Sequence, residues 1–451
     1  MDKAVALNLS RQSVAVVSDP VSDDGKDCTS IYRNAATAHL GLLSSAAPDA
    51  TTAYQLFFSR AVQFWPDSPC LGTRARDPTK TEDGWADHYT WLSYSTVADR
   101  ATAIGSGLLQ IIARDVLPAS GGPITAIPVP GAVPRHHIGI YARNRAEWVL
   151  TDLACVAYSM ASVALYDTLG ADALQYIVNH AELRVVVAAH EMVPVLIRAA
   201  GIKGGCEHLR VIVAMDPVAD QSFLREWARE RGVALYTLAE VEAIGAQFPS
   251  PHVPPQPTDL ASLCYTSGTT GNPKGVMLQH KNFAAQHMLM YYGPGLTMTP
   301  DDVHLSYLPL AHIFERSIVT QVLASGGRVG FFRGDPLLLV GDLQVLQPTI
   351  FPSVPRLLNR IYATLRAATL DAPGVRGALF RRAYATKRAN LMNGDGFVHP
   401  LYDRLLFSKV RQVLGGRLRF VVSGSAPIQP EVLNFFRIVL SCNVVEGYAI
   451  S

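Results

Sequence analysis

An α/β fold, with mostly parallel sheets covered by helices, is what this 451-residue sequence predicts. Three observations carry that expectation. From His137 onward, short β-branched, apolar runs alternate with segments of helical period, the pattern of a parallel sheet with crossover helices. One such run, Leu260, Leu263, Cys264 and Tyr265, leads directly into Thr266-Ser267-Gly268-Thr269-Thr270-Gly271-Asn272-Pro273-Lys274-Gly275. The composition, 49% hydrophobic and 17% charged, supplies apolar material for a large core.

In chain order, residues 1–50 are rich in Ala, Ser and Asp and predict a poorly ordered tail. A strand at 89–94 is followed by a helix whose apolar face is Val97, Ala101, Ile104, Leu108 and Ile111. Residues 114–136 carry Pro118, Gly121, Gly122, Pro123, Pro128, Pro130 and Pro134 and read as an inserted loop. Strands are expected at 137–141, 184–188 and 209–215, with helices at 146–159 and 171–180 between them. Prolines 249, 251, 254, 255 and 257 stiffen the approach to the glycine-rich loop. Further strands are expected at 304–308, 328–332, 349–351 and 418–423, and nothing indicates internal repeats.

A formal charge of +2 lacks the basic footprint of a nucleic-acid binder. The six cysteines (Cys28, Cys70, Cys155, Cys206, Cys264, Cys442) form no Cys-x-x-Cys pair and suggest reduced thiols with no metal site. No apolar run approaches the roughly 18 residues of a membrane span. Asp19, Asp23, Asp24 and Asp27 fit neither a secretory signal nor a transit peptide, so any membrane association is expected to be peripheral.

Chemistry concentrates at 266–275. Glycines let backbone N–H groups turn toward anionic oxygens, four hydroxyls add donors, and Lys274 adds a mobile charge. The order excludes a Walker loop, because Lys274 is followed by Gly275 rather than Ser or Thr. It also lacks the Gly-x-Gly-x-x-Gly of a dinucleotide fold. The segment resembles the phosphate loop of adenylate-forming enzymes, the superfamily of acyl-CoA synthetases and luciferases. Further segments are similar to long-chain fatty-acid CoA ligases, most closely plant-type ones. These are Pro69-Cys70-Leu71-Gly72-Thr73-Arg74, Tyr89-Thr90-Trp91-Leu92-Ser93-Tyr94, and Ile138-Gly139-Ile140-Tyr141 through Asn144-Arg145-Ala146-Glu147-Trp148. Ala164-Leu165-Tyr166-Asp167-Thr168-Leu169-Gly170, Asn179-His180-Ala181-Glu182, Tyr307-Leu308-Pro309-Leu310-Ala311-His312-Ile313-Phe314-Glu315-Arg316 and Pro352-Ser353-Val354-Pro355-Arg356 complete the set.

The resemblance covers residues 51–451 and implies the large N-terminal domain of the adenylate-forming fold. It implies activation of a long-chain fatty acid by ATP and Mg2+, followed by transfer to coenzyme A. By resemblance, Thr266, Ser267, Gly268, Thr269, Thr270, Gly271 and Lys274 hold the β- and γ-phosphates, and Lys274 and His312 serve the chemistry. Gly424, Ser425, Ala426 and Pro427 bracket the adenine, while Glu446, Gly447 and Tyr448 end a strand whose tyrosine stacks on it. No residue is assigned to a metal. His312 has two readings, one beside the substrate carboxylate and one as a helix start bonding its own backbone. Phe314 either gates an acyl tunnel or belongs to the core. Arg376, Arg381, Arg382, Lys387 and Arg388 read as a solvated helix face, or as a contact for CoA phosphates or an anionic membrane.

The likeness departs at the end. Ala449 stands where the family has a second glycine and Ser451 where it has threonine. The magnesium-contacting glutamate, the ribose aspartate and the lid domain with its lysine are absent. The domain is therefore expected to be incomplete, and the chain alone to turn over poorly. A non-catalytic nucleotide- or acyl-binding form, or adenylation of a different acid, are the alternatives. Plant-type relatives suggest a peroxisomal or endoplasmic-reticulum surface; chain-length preference and oligomeric state are not encoded legibly.

Overall fold

The computed structural model describes residues 13–17, 31–34, 47, 49–77, 79, 84–116, 136–166, 170–217, 221–266, 272–292 and 296–447. The described parts of the expected N-terminal tail are two strands, β1 (Ser13–Val17) and β2 (Ile31–Asn34), paired antiparallel. Val14, Val16, Val17, Ile31 and Tyr32 are strand formers, which overrides the tail-like composition around them. The rest of residues 1–46 lies outside the described residues.

Backbone contacts divide the chain into two units. The first consists mainly of Ala47–His287 and Thr299–Leu346. It contains β3 (Pro69–Thr73), β4 (Thr90–Ser93), β5 (His137–Tyr141), β6 (Ala161–Leu165), β7 (Val185–Ala188), β8 (Val211–Ala214), β9 (Ala234–Thr237), β10 (Leu260–Thr266), β11 (Lys274–Gln279), β12 (Val303–Ser306) and β13 (Arg328–Phe331). One sheet runs β11-β10-β6-β5-β7-β8-β9, parallel except for β11, which is antiparallel to β10. A second run has order β12-β13-β3-β4, parallel until β4. The second unit, built chiefly from Gln347–Ala449, holds the parallel strands β14 (Ile350–Ser353), β15 (Phe420–Ser423) and β16 (Asn443–Glu446).

The strands expected from β-branched runs are present, with ends shifted by two residues at most. β7 and β8 are buried at every position, as strands covered on both faces by helices must be. β6 escaped the sequence reading because the apolar run 153–166 holds both the end of one helix and the following strand. β9 and β11 were also missed, since half the residues of β9 and all of β11 are partly or fully exposed.

Helix α1 (Tyr94–Ile111) begins three residues earlier than its apolar face suggested. Ser93 is extended and its hydroxyl accepts from Thr96 N at 3.1 Å, a side-chain N-cap. Of the inserted loop expected at 114–136, residues 117–135 lie outside the described residues, and 112–116 continue in helical conformation. Helix α2 (Ala146–Ala157) carries the buried Trp148. Helix α3 (Leu238–Gln247) starts with a capping box between Thr237 and Glu240.

Helices α1 and α3 touch backbone to backbone. A Cβ on Gly245 would stand 1.8 Å from Ala103 O, and one on Gly107 2.0 Å from Val241 O. Only glycine permits this approach. Among the described residues, no helix is long and apolar enough to cross a membrane. Cys70, Cys155, Cys206, Cys264 and Cys442 are buried thiols outside any disulfide, while Cys28 lies outside the described residues.

Candidate active site

In the first unit, β10 carries the chain to the glycine-rich segment and β11 takes it back. Their antiparallel register ends with Thr266 paired to Lys274. Ser267, Gly268, Thr269, Thr270 and Gly271 lie outside the described residues; Thr266 is half-buried and Lys274 exposed. The strand is anchored just before the turn. Tyr265 is 2% exposed, and its hydroxyl lies 2.6 Å from His180 Nδ1. Burial pushes its phenol up to about 12, which keeps it protonated at neutral pH.

His312 occupies the N-cap of helix α4 (Ile313–Ala324), in extended conformation at φ −88, ψ 135. Its Nδ1 accepts the Phe314 backbone N–H at 3.1 Å. An accepting Nδ1 requires the neutral ring with its proton on Nε2, and burial lowers the imidazole pKa in the same sense. The self-capping reading is thus realised in the structure, yet it uses one nitrogen and turns the other into a donor. Phe314 is half-buried.

The approach to His312 is held by groups the sequence did not single out. Asn144, after β5, donates through Nδ2 to Ser306 Oγ at 2.9 Å and Leu308 O at 2.6 Å, and its Oδ1 accepts from Leu310 N at 2.9 Å. On α4, Glu315 meets His304, and Arg316 reaches Asp152, Ser162 and Ser262. A signal existed: a Glu-Arg pair in the first turn of a helix rich in apolar residues must find partners when buried.

In the second unit, β15 ends at Ser423, and Gly424 N donates to Ser353 O at 3.1 Å. Ser425, not Gly424, adopts the left-handed conformation, with φ 71. A non-glycine residue there is sterically costly, as it is at Ser159, Glu182, Gln347 and Ser441. Ser425, Ala426 and Pro427 are exposed, whereas Gly424 is buried. Glu446, paired in register with Ser423, accepts from Ile428 N at 3.3 Å, tying β16 to the segment behind Pro427. Gly447 N donates to Ser423 O at 2.8 Å, and a Cβ on Gly447 would make only ordinary contacts, the nearest at 3.6 Å. Internal packing does not demand that glycine. Tyr448, Ala449 and Ser451 lie outside the described residues.

The basic stretch is corrected at one position. On helix α5 (Gly374–Asn393), Arg376, Arg381, Arg382 and Arg388 are exposed, but Lys387 is fully buried. It donates to Asp403 Oδ1 at 2.5 Å, Ile438 O at 2.5 Å and Ser441 Oγ at 2.8 Å. The acceptors come from a later turn and from the end of helix α6 (Pro430–Leu440), whose carbonyls attract a cation.

An α/β protein whose parallel strands end in a glycine- and hydroxyl-rich connection belongs to a class that takes ligands beyond the strand ends. Within that class, this chain belongs to the AMP-binding enzyme family, whose model matches residues 130–451. Long-chain-fatty-acid–CoA ligase 6 of Homo sapiens is 39% identical over 444 residues, covering 95% of this chain and 57% of that protein. A peroxisomal acyl-CoA ligase 891 of Penicillium brevicompactum is 38% identical, covering 93% of this chain and 58% of its own. The chain therefore spans little more than half the length of these relatives. The adenylation domain of a carboxylate reductase from Mycobacterium chelonae matches in structure with TM-score 0.70 at 21% identity, covering 90% of this chain and 59% of that one. At that identity the likeness establishes the fold.

Proposed function

We propose that the protein carrying this chain activates long-chain fatty acids. The carboxylate oxygen attacks the α-phosphorus of ATP, the bond to the bridging oxygen breaks, and pyrophosphate leaves. The thiolate of coenzyme A then attacks the acyl carbon of the adenylate, and AMP leaves as the thioester forms. Both steps build charge at crowded centres, which preorganised donors stabilise.

In this reading Thr266, Ser267, Gly268, Thr269, Thr270, Gly271 and Lys274 hold the β- and γ-phosphates. His312, neutral and protonated on Nε2, donates to the acid carboxylate and orients it. Gly424, Ser425, Ala426, Pro427, Glu446, Gly447 and Tyr448 serve the adenine, and Ser451 offers a further hydroxyl. The hydroxyl oxygens of the loop suit a hard cation, and Mg2+ is carried mainly by the nucleotide's own phosphates, its usual mode. In this reading residues 51–451 belong to an AMP-binding domain. Peripheral association with a peroxisomal or endoplasmic-reticulum surface accompanies this function.

The observation that supports the reading best is that β10, which leads into the hydroxyl-glycine segment, is tied through Cys264 Sγ to Ala311 O at 3.6 Å, directly before a His312 whose donor form is set by its own helix. Palmitate-dependent ATP–pyrophosphate exchange by this chain tests it. Exchange with palmitate but not benzoate or an amino acid is expected. Exchange that ignores fatty acids would overturn the reading.

A further inference from the structure

Arg316 stands one helical turn after His312, and its backbone N–H donates to the His312 carbonyl at 3.2 Å. Its side chain turns inward and is 4% exposed. Nη1 donates to Ser262 Oγ on β10, while Nη2 donates to Asp152 Oδ1 on α2 and, at 2.7 Å, to Ser162 Oγ on β6. Trp148 and Phe283 flank the guanidinium with ring centroids at 5.5 and 5.3 Å. A second tie runs in parallel: Cys264 Sγ on β10 donates to Ala311 O, directly before His312, at 3.6 Å.

Ser262 lies four residues before Thr266, where the glycine-rich connection begins. One buried side chain therefore fastens the helix that starts at His312 to the strand that delivers the phosphate loop. Burying a guanidinium with its carboxylate is no economical way to stabilise a core, since apolar residues of similar volume do as well or better. Its planar fork does something they cannot, fixing three oxygens on three elements in one geometry.

We propose that Arg316 is a positioning residue, holding His312 in register with the end of β10 so that the acid and the triphosphate bind cooperatively. The proposal rests on the function above, and its test separates the two. The 451-residue chain is titrated calorimetrically with palmitate and with α,β-methylene-ATP, which cannot release pyrophosphate, singly and together. In the wild type each ligand is expected to tighten the other about fivefold or more. Arg316→Lys keeps the charge but replaces two donor nitrogens, Nη1 on Ser262 and Nη2 on Asp152 and Ser162, with one nitrogen on a shorter side chain. It should bind each ligand alone within about threefold of wild type while the mutual enhancement falls to about one. Ser262→Ala, which leaves the Asp152 pair intact, should lower the enhancement partially and carries the test if the lysine variant does not fold.

Enhancement unchanged in the folded variants overturns the proposal, as does weakening of both ligands with the enhancement intact. A wild type that binds both ligands independently overturns it too. A wild type that binds neither removes the function reading and this proposal with it.

Discussion

His304 Nε2 lies 2.8 Å from Glu315 Oε1, and both side chains have 0% exposure. The bond joins β12 to the first turn of α4, three residues after His312. The remaining atoms of the pair, His304 Nδ1 and Glu315 Oε2, are buried without a hydrogen-bond partner, so the single bond carries the polar satisfaction of the site. Glu315→Ala strands a buried imidazole and is expected to destabilise the chain by about 2–4 kcal/mol. Urea unfolding measures this; a loss below about 1 kcal/mol would show that the pair relaxes into solvent.

His312 caps its helix, and the proposed function gives it a separable second duty at the substrate. Asparagine is a strong N-cap residue, so His312→Asn should retain stability, whereas His312→Ala should lose about 1 kcal/mol. Both variants should reduce palmitate-dependent pyrophosphate exchange by about tenfold or more, the cost of losing one hydrogen bond to a charged group. Full exchange in His312→Asn would confine the residue to its capping role.

Lys387 anchors the second unit. Lys387→Met keeps the length but leaves the Asp403 carboxylate, which is 9% exposed, without its ammonium. A loss of about 3–5 kcal/mol is expected, partly recovered when Asp403→Asn is added. If the double variant is no more stable than the single one, the pair is not the source of the loss.

The contact between α1 and α3 tolerates no side chain. Gly245→Ala forces a methyl group into the Ala103 carbonyl, and separating the helices should cost about 1–3 kcal/mol. The thermal midpoint should fall accordingly, and an unchanged midpoint would show that the helices are not in close contact in solution.

Acid should weaken the fold before the carboxylates titrate. Burial lowers the pKa of His252, His287 and His312, and takes His280 down to about 3 from 6.5. These rings are neutral in the folded chain and take protons when unfolded, so stability is complete above about pH 6.5 and falls as the pH drops. Asp216 and Glu240, lowered from 3.8 and 4.5 despite desolvation by their arginine and backbone hydrogen bonds, add their loss only below that range. Urea midpoints at pH 8, 6 and 5 should decline monotonically, and a flat profile between 6.5 and 5 would remove the histidine account.

Much of the architecture was legible from local pattern. Runs such as Val185-Val186-Val187 and Val211-Ile212-Val213 have no stable alternative to buried strands, and Gly/hydroxyl composition marks 266–275 without any tertiary information. β6 was hidden because periodicity cannot separate a buried helix end from a strand that follows it directly. Lys387 misled for a related reason. Four of its basic neighbours are solvated, and nothing in a charge pattern says which member turns inward.

By itself the sequence determined the α/β class and the positions of most strands, because those depend on residues adjacent along the chain. Only the tertiary structure decided that Arg316 would meet Asp152, 164 positions away, or that Lys387 would be sealed under the end of α6. The same holds for His312, whose proton sits on Nε2 because the first turn of its helix donates to Nδ1. A buried charge is defined by the partners that surround it, and packing distant segments together supplies those partners.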